Sequence, residues 1–292
     1  MRVSTSYQYD SFSRQIRDAQ SRYVAAQRVA TSGKRLEHPS DDPFGTSVSL
    51  SARAVRSAIE QYDKNLVNAR GVLGLSENAV SGLNDLLREG YTMAVRAAQT
   101  TVDQEGRNGM AAQVAELQRR LVALGNSRGP AGEYLFGGQK NDVAPFAAAN
   151  GALTFSGDNN SVIVETGPGV TMSISTPGEQ LFKAAYDKLE SLRQNLLGGT
   201  TSSTEGDIQP LQDQMAVTRA QLAEIGSRMR SVTTLKTDNA RRLDGLAVQI
   251  SDVEDVDMAE AIVALKQAEN AYTAALQVGS QGFNLSLMDF IR

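Results

Sequence analysis

The residues that most invite a chemical reading are His38, Ser40, Asp41 and Asp42, crowded together in a chain that has no other histidine. An imidazole, a hydroxyl and two carboxylates are the parts of a nucleophilic triad. Triad members, however, converge from separate elements, and no G-x-S-x-G elbow accompanies these. Just upstream, Gly33-Lys34 matches the end of a phosphate-binding loop only in part, because Arg28 stands where the first glycine belongs and Arg35 where the serine or threonine belongs. The acids Asp252, Glu254, Asp255, Asp257 and Glu260 do not alternate around a central glycine as a calcium loop requires. They read as helix-start chemistry: Asp257 and Glu260 have capping-box spacing, and the rest favour the positive end of the helix dipole. With no cysteine and no H-E-x-x-H, thiolate chemistry and a transition-metal site are removed as well. The chain is expected to be no enzyme, with no cofactor and no metal.

What these residues lack in chemistry, the elements around them supply in pattern. Phe12, Ile16, Ala19, Tyr23, Ala26 and Ala30 recur at alternating steps of four and three. So do Met258, Ile262, Leu265, Tyr272, Leu276 and Phe283, broken only by Glu269 and Gly279, with Leu287 beyond them. That rhythm places one apolar seam along a helix, to be buried against another helix. The charges agree: residues 1–36 carry a net +5 and residues 252–292 a net −5. The two ends are expected to pair, and their seams are the expected assembly interface.

Between the ends the same rhythm continues. After a Gly/Pro-containing link at 33–45, Val55, Ile59, Tyr62, Leu66, Ala69, Leu73, Ser76, Val80, Leu83 and Leu87 mark a helix roughly 50 Å long at ~1.5 Å per residue. A second helix over Met110–Leu124 follows. From 138 to 178 glycine and proline punctuate short runs of strand composition, Leu153–Phe155, Val162–Val164 and Val170–Ile174, which predicts a small inserted β domain. Helix returns at 179–197, a flexible Gly/Thr/Ser turn at 198–206 follows, and a long helix runs to about Ser251. Lys236 and Asn239 interrupt the seam of that helix; they either set register or face solvent. The expected fold is mainly α, an elongated antiparallel helical bundle or coiled coil formed from both chain ends. Its expected parts are 1–45 with 254–292, 46–137 with 179–253, and the β insertion 138–178.

Composition narrows the function further. A net charge of −4 with a pI near 5.2 gives no field for nucleic acid. No run of 18 apolar residues suggests a membrane span, and no signal-peptide run suggests classical secretion.

The segment Val29-Ala-Thr-Ser-Gly-Lys-Arg-Leu36, continued by Pro39-Ser-Asp-Asp-Pro43, is similar to the element that follows the first helix in the bacterial flagellin superfamily. Ile250-Ser-Asp-Val-Glu-Asp-Val-Asp-Met-Ala-Glu260 resembles that family's approach to its final helix. The motif residues are therefore Gly33, Lys34, Arg35, Asp41, Asp42, Pro43, Asp255 and Asp257. The start Met1–Thr5, Pro43 directly after Asp42, and Tyr134-Leu-Phe-Gly-Gly138 with Pro145-Phe146 look more like the hook–filament junction members than like filament flagellin. The resemblance implies a non-enzymatic flagellar adaptor, exported without a cleaved signal peptide and located outside the cell. Its implied partners are hook-associated protein 1, flagellin, other copies of itself in a ring, and an export chaperone. A short filament flagellin and a soluble coiled-coil scaffold are the alternatives.

Overall fold

A computed structural model describes residues 2–99, 102–149, 151–198 and 200–290. The fold is mainly helical, as expected, with small antiparallel sheets. In chain order come α1 (Arg2–Ser32), α2 (Pro43–Ala97), α3 (Gln104–Gly125), β1 (Phe146–Ala149), β2 (Ala152–Phe155), β3 (Ile163–Gly167), β4 (Val170–Ser173), a π turn (Glu179–Lys183), α4 (Ala184–Gly198), α5 (Thr201–Glu205), α6 (Ile208–Glu254) and α7 (Met258–Phe290). Two compact units result: Met1–Ser57 with Arg242–Arg292, and Ala58–Arg241.

The unit Ala58–Arg241 is built on the α2 seam. From Ile59 onward the heptad positions turn inward, and Leu66, Leu73, Val80, Leu83 and Leu87 are fully buried; Val55, one step earlier, is exposed. Against them lie Val114, Leu117 and Leu121 of α3, Leu189, Leu192 and Leu196 of α4, and Leu211, Ile225 and Val232 of α6. Asp103 starts α3 by accepting the Gly106 N–H at 2.9 Å, an N-cap that satisfies one orphan donor.

Residues 138–178, the expected β insertion, carry the strands of the fold. They form two unconnected hairpins, β1–β2 and β3–β4, which share the helical core through Phe146, Leu153 and Ile174. Phe146 sits 5.6 Å from Phe182 of the π turn, and Phe182 sits 4.6 Å from Phe136. The second hairpin is tied to helices on two sides, by Asn65 Nδ2 to the Glu165 carbonyl at 2.8 Å and by Arg228 Nη1 to the Ser175 carbonyl at 2.9 Å. Strands this short bury too little to stand alone, so they borrow a core.

Two expectations change. The turn at 198–206 contains α5 and is pinned rather than flexible in its bonding: buried Arg107 donates to the Thr200 carbonyl at 3.2 Å and to the Thr204 hydroxyl at 3.1 Å. Asn239 does not face solvent; it is buried in the α6 seam, and its amide nitrogen finds no hydrogen-bond partner among the described residues.

One buried carboxylate makes this unit acid-sensitive. Glu190 of α4 accepts from Arg193 at 2.6 and 2.8 Å and from Gln118 Nε2 at 2.9 Å. The Arg193 bonds, outweighing burial, hold its pKa down to about 2. A depressed carboxylate contributes stability above its unfolded value of about 4.5 and loses it as pH falls towards 2. Glu190→Gln is expected to lower stability at pH 7 by about 1–2 kcal/mol, after discounting for the partly exposed Arg193, and to flatten the decline between pH 5 and pH 2.5. Urea titrations across that range check it; a variant as acid-sensitive as the parent chain contradicts it.

Candidate assembly interface

No arrangement for catalysis appears at the sequence-predicted positions. What the structure builds instead is a paired surface from the two chain ends. Along α1, Phe12, Ile16, Ala19, Tyr23, Ala26 and Ala30 are half-buried while the residues between them are mostly exposed, as the spacing predicts. They pack on α7 in antiparallel order: Tyr23 stacks on Tyr272 with ring centroids 5.9 Å apart and planes 9° apart, and Ile16 lies over Gly279. A Cβ added at Gly279 would stand 2.9 Å from Ile16 Cδ1, which places the tip of Ile16 directly on the α7 backbone.

The α7 seam is rotated from the predicted one. Leu265 and Tyr272 face α1, but the alternate positions are Ala261, Ala268 and Ala275, and it is the small residues that the pairing buries. Met258, Ile262 and Leu276 turn outward and are 45, 50 and 44% exposed. Phe283 and Leu287 lie in the part of α7 whose side chains fall outside the described residues. The physical reason is size: small residues on the inner face let the helix axes approach, and the bulkier side chains are left on the flank, where Val263 and Val278 are also exposed.

The opposite charges do not meet along this seam. Among the described residues no ion pair joins α1 to α7; Arg14, Arg17 and Arg22 are exposed, and Lys266 pairs with Glu269 on its own helix. The two ends meet electrostatically at their roots. Glu254, the last residue of α6, has a buried carboxylate that accepts from Lys34 Nζ at 2.9 Å, from Arg53 Nε and Nη2 at 2.9 and 2.6 Å, and from the Ser49 hydroxyl. Its pKa falls to about 2, chiefly through Arg53, then Ser49. Its carbonyl accepts the Arg35 N–H at 2.6 Å, the Val256 N–H donates to the Gly33 carbonyl at 3.0 Å, and Lys34 and Asp255 form an antiparallel bridge. Composition singled out Glu254 only as one acid in a run of five. Its spacing from Lys34 and Arg53 is more than 200 residues, and no local pattern carries that signal.

The remaining motif residues shape this root. Gly33 ends α1 at φ +70, the left-handed conformation that favours glycine. Arg35 reaches the Val253 carbonyl at 2.8 Å and lies 3.7 Å from Asp42. Asp41 accepts the His38 N–H at 2.9 Å, which turns the link and holds its carboxyl below the ordinary value. Asp42 caps α2 by accepting the Gly45 N–H at 2.9 Å, with Pro43 following as the first helical residue. Asp255 accepts the Ser251 hydroxyl at 2.6 Å, and Asp257 starts α7 by accepting the Ala259 N–H at 2.8 Å. His38, Asp41 and Asp42 are thus turn and cap chemistry. Among the described residues no group of His, Cys, Asp and Glu is placed to hold a metal, and no helix is long and apolar enough to cross a membrane.

A fold of helices whose two ends pair at a Gly-Lys-Arg link defines a class. Residues 3–141, just under half of the chain, match the family described as bacterial flagellin N-terminal helical region, so this chain is similar to the flagellin superfamily. Within that class it is similar over its whole length to two flagellar hook-associated proteins 3. The Salmonella typhimurium protein is 23% identical over 319 residues, with all of both chains covered. The Escherichia coli protein is 23% identical over 314 residues, covering 98% of each. Among solved structures, a putative flagellar hook-associated protein from Vibrio parahaemolyticus shares the fold with a TM-score of 0.67 at 21% identity, covering 74% of this chain and all of that one. Each of these relatives is, by name, a flagellar hook-associated protein.

Proposed function

We propose that this chain is the adaptor between the hook-associated zone and the flagellin filament, and that its paired ends are the part that enters the helical lattice. One observation carries the assembly reading: among the described side chains of α1 none is fully buried, whereas the helices of the unit Ala58–Arg241 bury many completely. A helix pair that half-buries its own seam and leaves Met258, Ile262 and Leu276 exposed has apolar surface still to lose. Neighbouring subunits supply the cover, each fully buried Ile, Leu or Phe contributing roughly 1.5–3 kcal/mol before ordering is subtracted. Repeated head-to-tail contacts of this kind generate tubes. The whole-length likeness to two hook-associated proteins 3 supports the junction as the place. The partners in this reading are hook-associated protein 1, flagellin, further copies of the chain in a ring, and a chaperone on the export route that guards the exposed C-terminal seam.

Immunoelectron microscopy of flagella with an antibody against residues 138–178 tests it. A narrow band of label between hook and filament is expected; label along the whole filament favours a short filament flagellin and overturns the adaptor.

Phe44 offers a finer test. It is 80% exposed on the first turn of α2, with Leu50 at 67% and Val55 at 51% along the same stretch. A large aromatic so exposed adds nothing to the monomer, so Phe44→Ser is expected to change monomer stability by less than about 0.5 kcal/mol. If it is an interface anchor, incorporation falls at least about tenfold. Swimming and the fraction of cells bearing filaments report this; full incorporation removes Phe44 from the interface.

A further inference from the structure

We propose that Glu254 is the positioning residue of the paired ends: it fastens the link after α1 to α2 and to the start of α7, so that both terminal helices grow from one aligned root. Only the consequence for assembly rests on the function proposed above; the fastening is a property of the free chain.

The link after α1 and the first turns of α2 meet at this one residue, which stands more than 200 residues further along the chain. Its carbonyl holds the Arg35 N–H at 2.6 Å and the Leu36 N–H at 3.4 Å, while its carboxylate bridges Lys34 in the link and Arg53 with Ser49 on α2. Immediately after it, Val256 bonds back to Gly33, and α7 begins at Met258. Gly33 closes α1 within van der Waals reach of Met258, since a Cβ there would stand 3.9 Å from Met258 Sδ. The start of α7 and the first residue after α1 are therefore held side by side. With the roots joined, pairing of the two helices is an intramolecular zipping step rather than closure of a loop of some 200 residues.

The fastening needs a charge. Lys34 and Arg53 approach the carboxylate from two elements, the link and α2, at 2.9 and 2.6 Å. The other charged groups around it are already engaged or set apart. Arg35 is turned to Asp42 and the Val253 carbonyl, Asp255 to Ser251, and Glu37 and His38 line the same groove with Arg28 3.6 Å from Glu37. Arg56 and Asp252 lie within one turn along their own helices. Glutamine at 254 keeps the volume but presents an NH2 donor where two cations expect an acceptor. A carboxylate held below its ordinary value keeps the root closed above about pH 4.5 and releases it as pH falls towards 2.

Amide hydrogen exchange on the full-length chain reads this directly. Expressed as protection factors, which divide out the intrinsic rate, the Arg35 and Val256 amides are expected to be protected at pH 7 and at least about tenfold less so in Glu254→Gln. The parent's protection falls between pH 5 and pH 2.5, while the variant's stays flat. Arg53→Gln, which spares the α6 terminus, gives a smaller loss at the same amides and serves if Glu254→Gln folds poorly. Unchanged protection in both variants overturns the proposal, and a parent that does not respond to acid overturns the role of charge. Loss of protection with normal incorporation into flagella overturns the alignment role alone. The antibody-labelling result bears on the adaptor reading and not on this one, so the two fail separately.

Discussion

Deleting residues 1–30 or 265–292 is expected to abolish incorporation into flagella while the remaining chain keeps the helical far-ultraviolet circular dichroism of its core. Each truncation removes one side of the same seam. Without residues 1–30, α7 loses Tyr23 and Ile16, the partners of Tyr272 and Gly279; without residues 265–292, α1 loses the Tyr272 ring and the Gly279 backbone. A single amphipathic helix without a partner is marginal in water, so the surviving end has little to present to a lattice. The unit Ala58–Arg241 contains its own fully buried leucines on α2, α3, α4 and α6. Helicity is therefore retained roughly in proportion to the helix that remains. Normal incorporation of either truncation, measured by immunoblotting of purified flagella, defeats the assembly proposal.

The same seam shows what a sequence can and cannot display. On α1 the buried positions include Phe12, Ile16 and Tyr23, large enough to stand out at steps of four and three, and that helix face is legible. On α7 half of the buried positions are Ala261, Ala268 and Ala275. Alanine carries almost no hydrophobic signal, whereas the exposed Ile262 and Leu276 beside them do, so a reading by hydrophobicity turns the seam towards the flank that the pairing with α1 leaves exposed. The opposed charges were legible as totals but not as contacts: they are joined through Lys34 and Glu254 at the root rather than along the helices.

The hairpins repeat the lesson in the other unit. Leu153–Phe155 and Val170–Ile174 have the side chains of strands and largely are strands. Phe146-Ala-Ala-Ala149 has a helix former's composition and is a strand nonetheless. Asn126 overrides it: its side chain accepts the Phe146 N–H at 3.1 Å and donates to the Phe146 carbonyl at 2.8 Å, the paired bonds of a neighbouring strand. No window of sequence around residue 146 contains that information.

Phe182→Ala is expected to produce the largest loss of stability, about 3–5 kcal/mol, seen as a melting temperature roughly 6–20 °C lower for a unit of this size. Phe182 is fully buried on the π turn, tilted against Phe136 and Phe146, where helix and hairpin share one aromatic cluster. The cluster is tight enough to need glycine beside it: a Cβ on Gly125 would come within 2.7 Å of the Phe146 ring and 3.3 Å of the Phe182 ring. Removing the ring of Phe182 thus opens a cavity bounded by α3, β1 and the π turn, which short strands cannot collapse to fill. The loss should be uneven, with the amides of the β1–β2 ladder exchanging faster than those of α6 in the same unit. A melting shift under about 2 °C, or uniform acceleration of exchange, would show that the hairpin is not held by this cluster but by the Asn126 bonds alone.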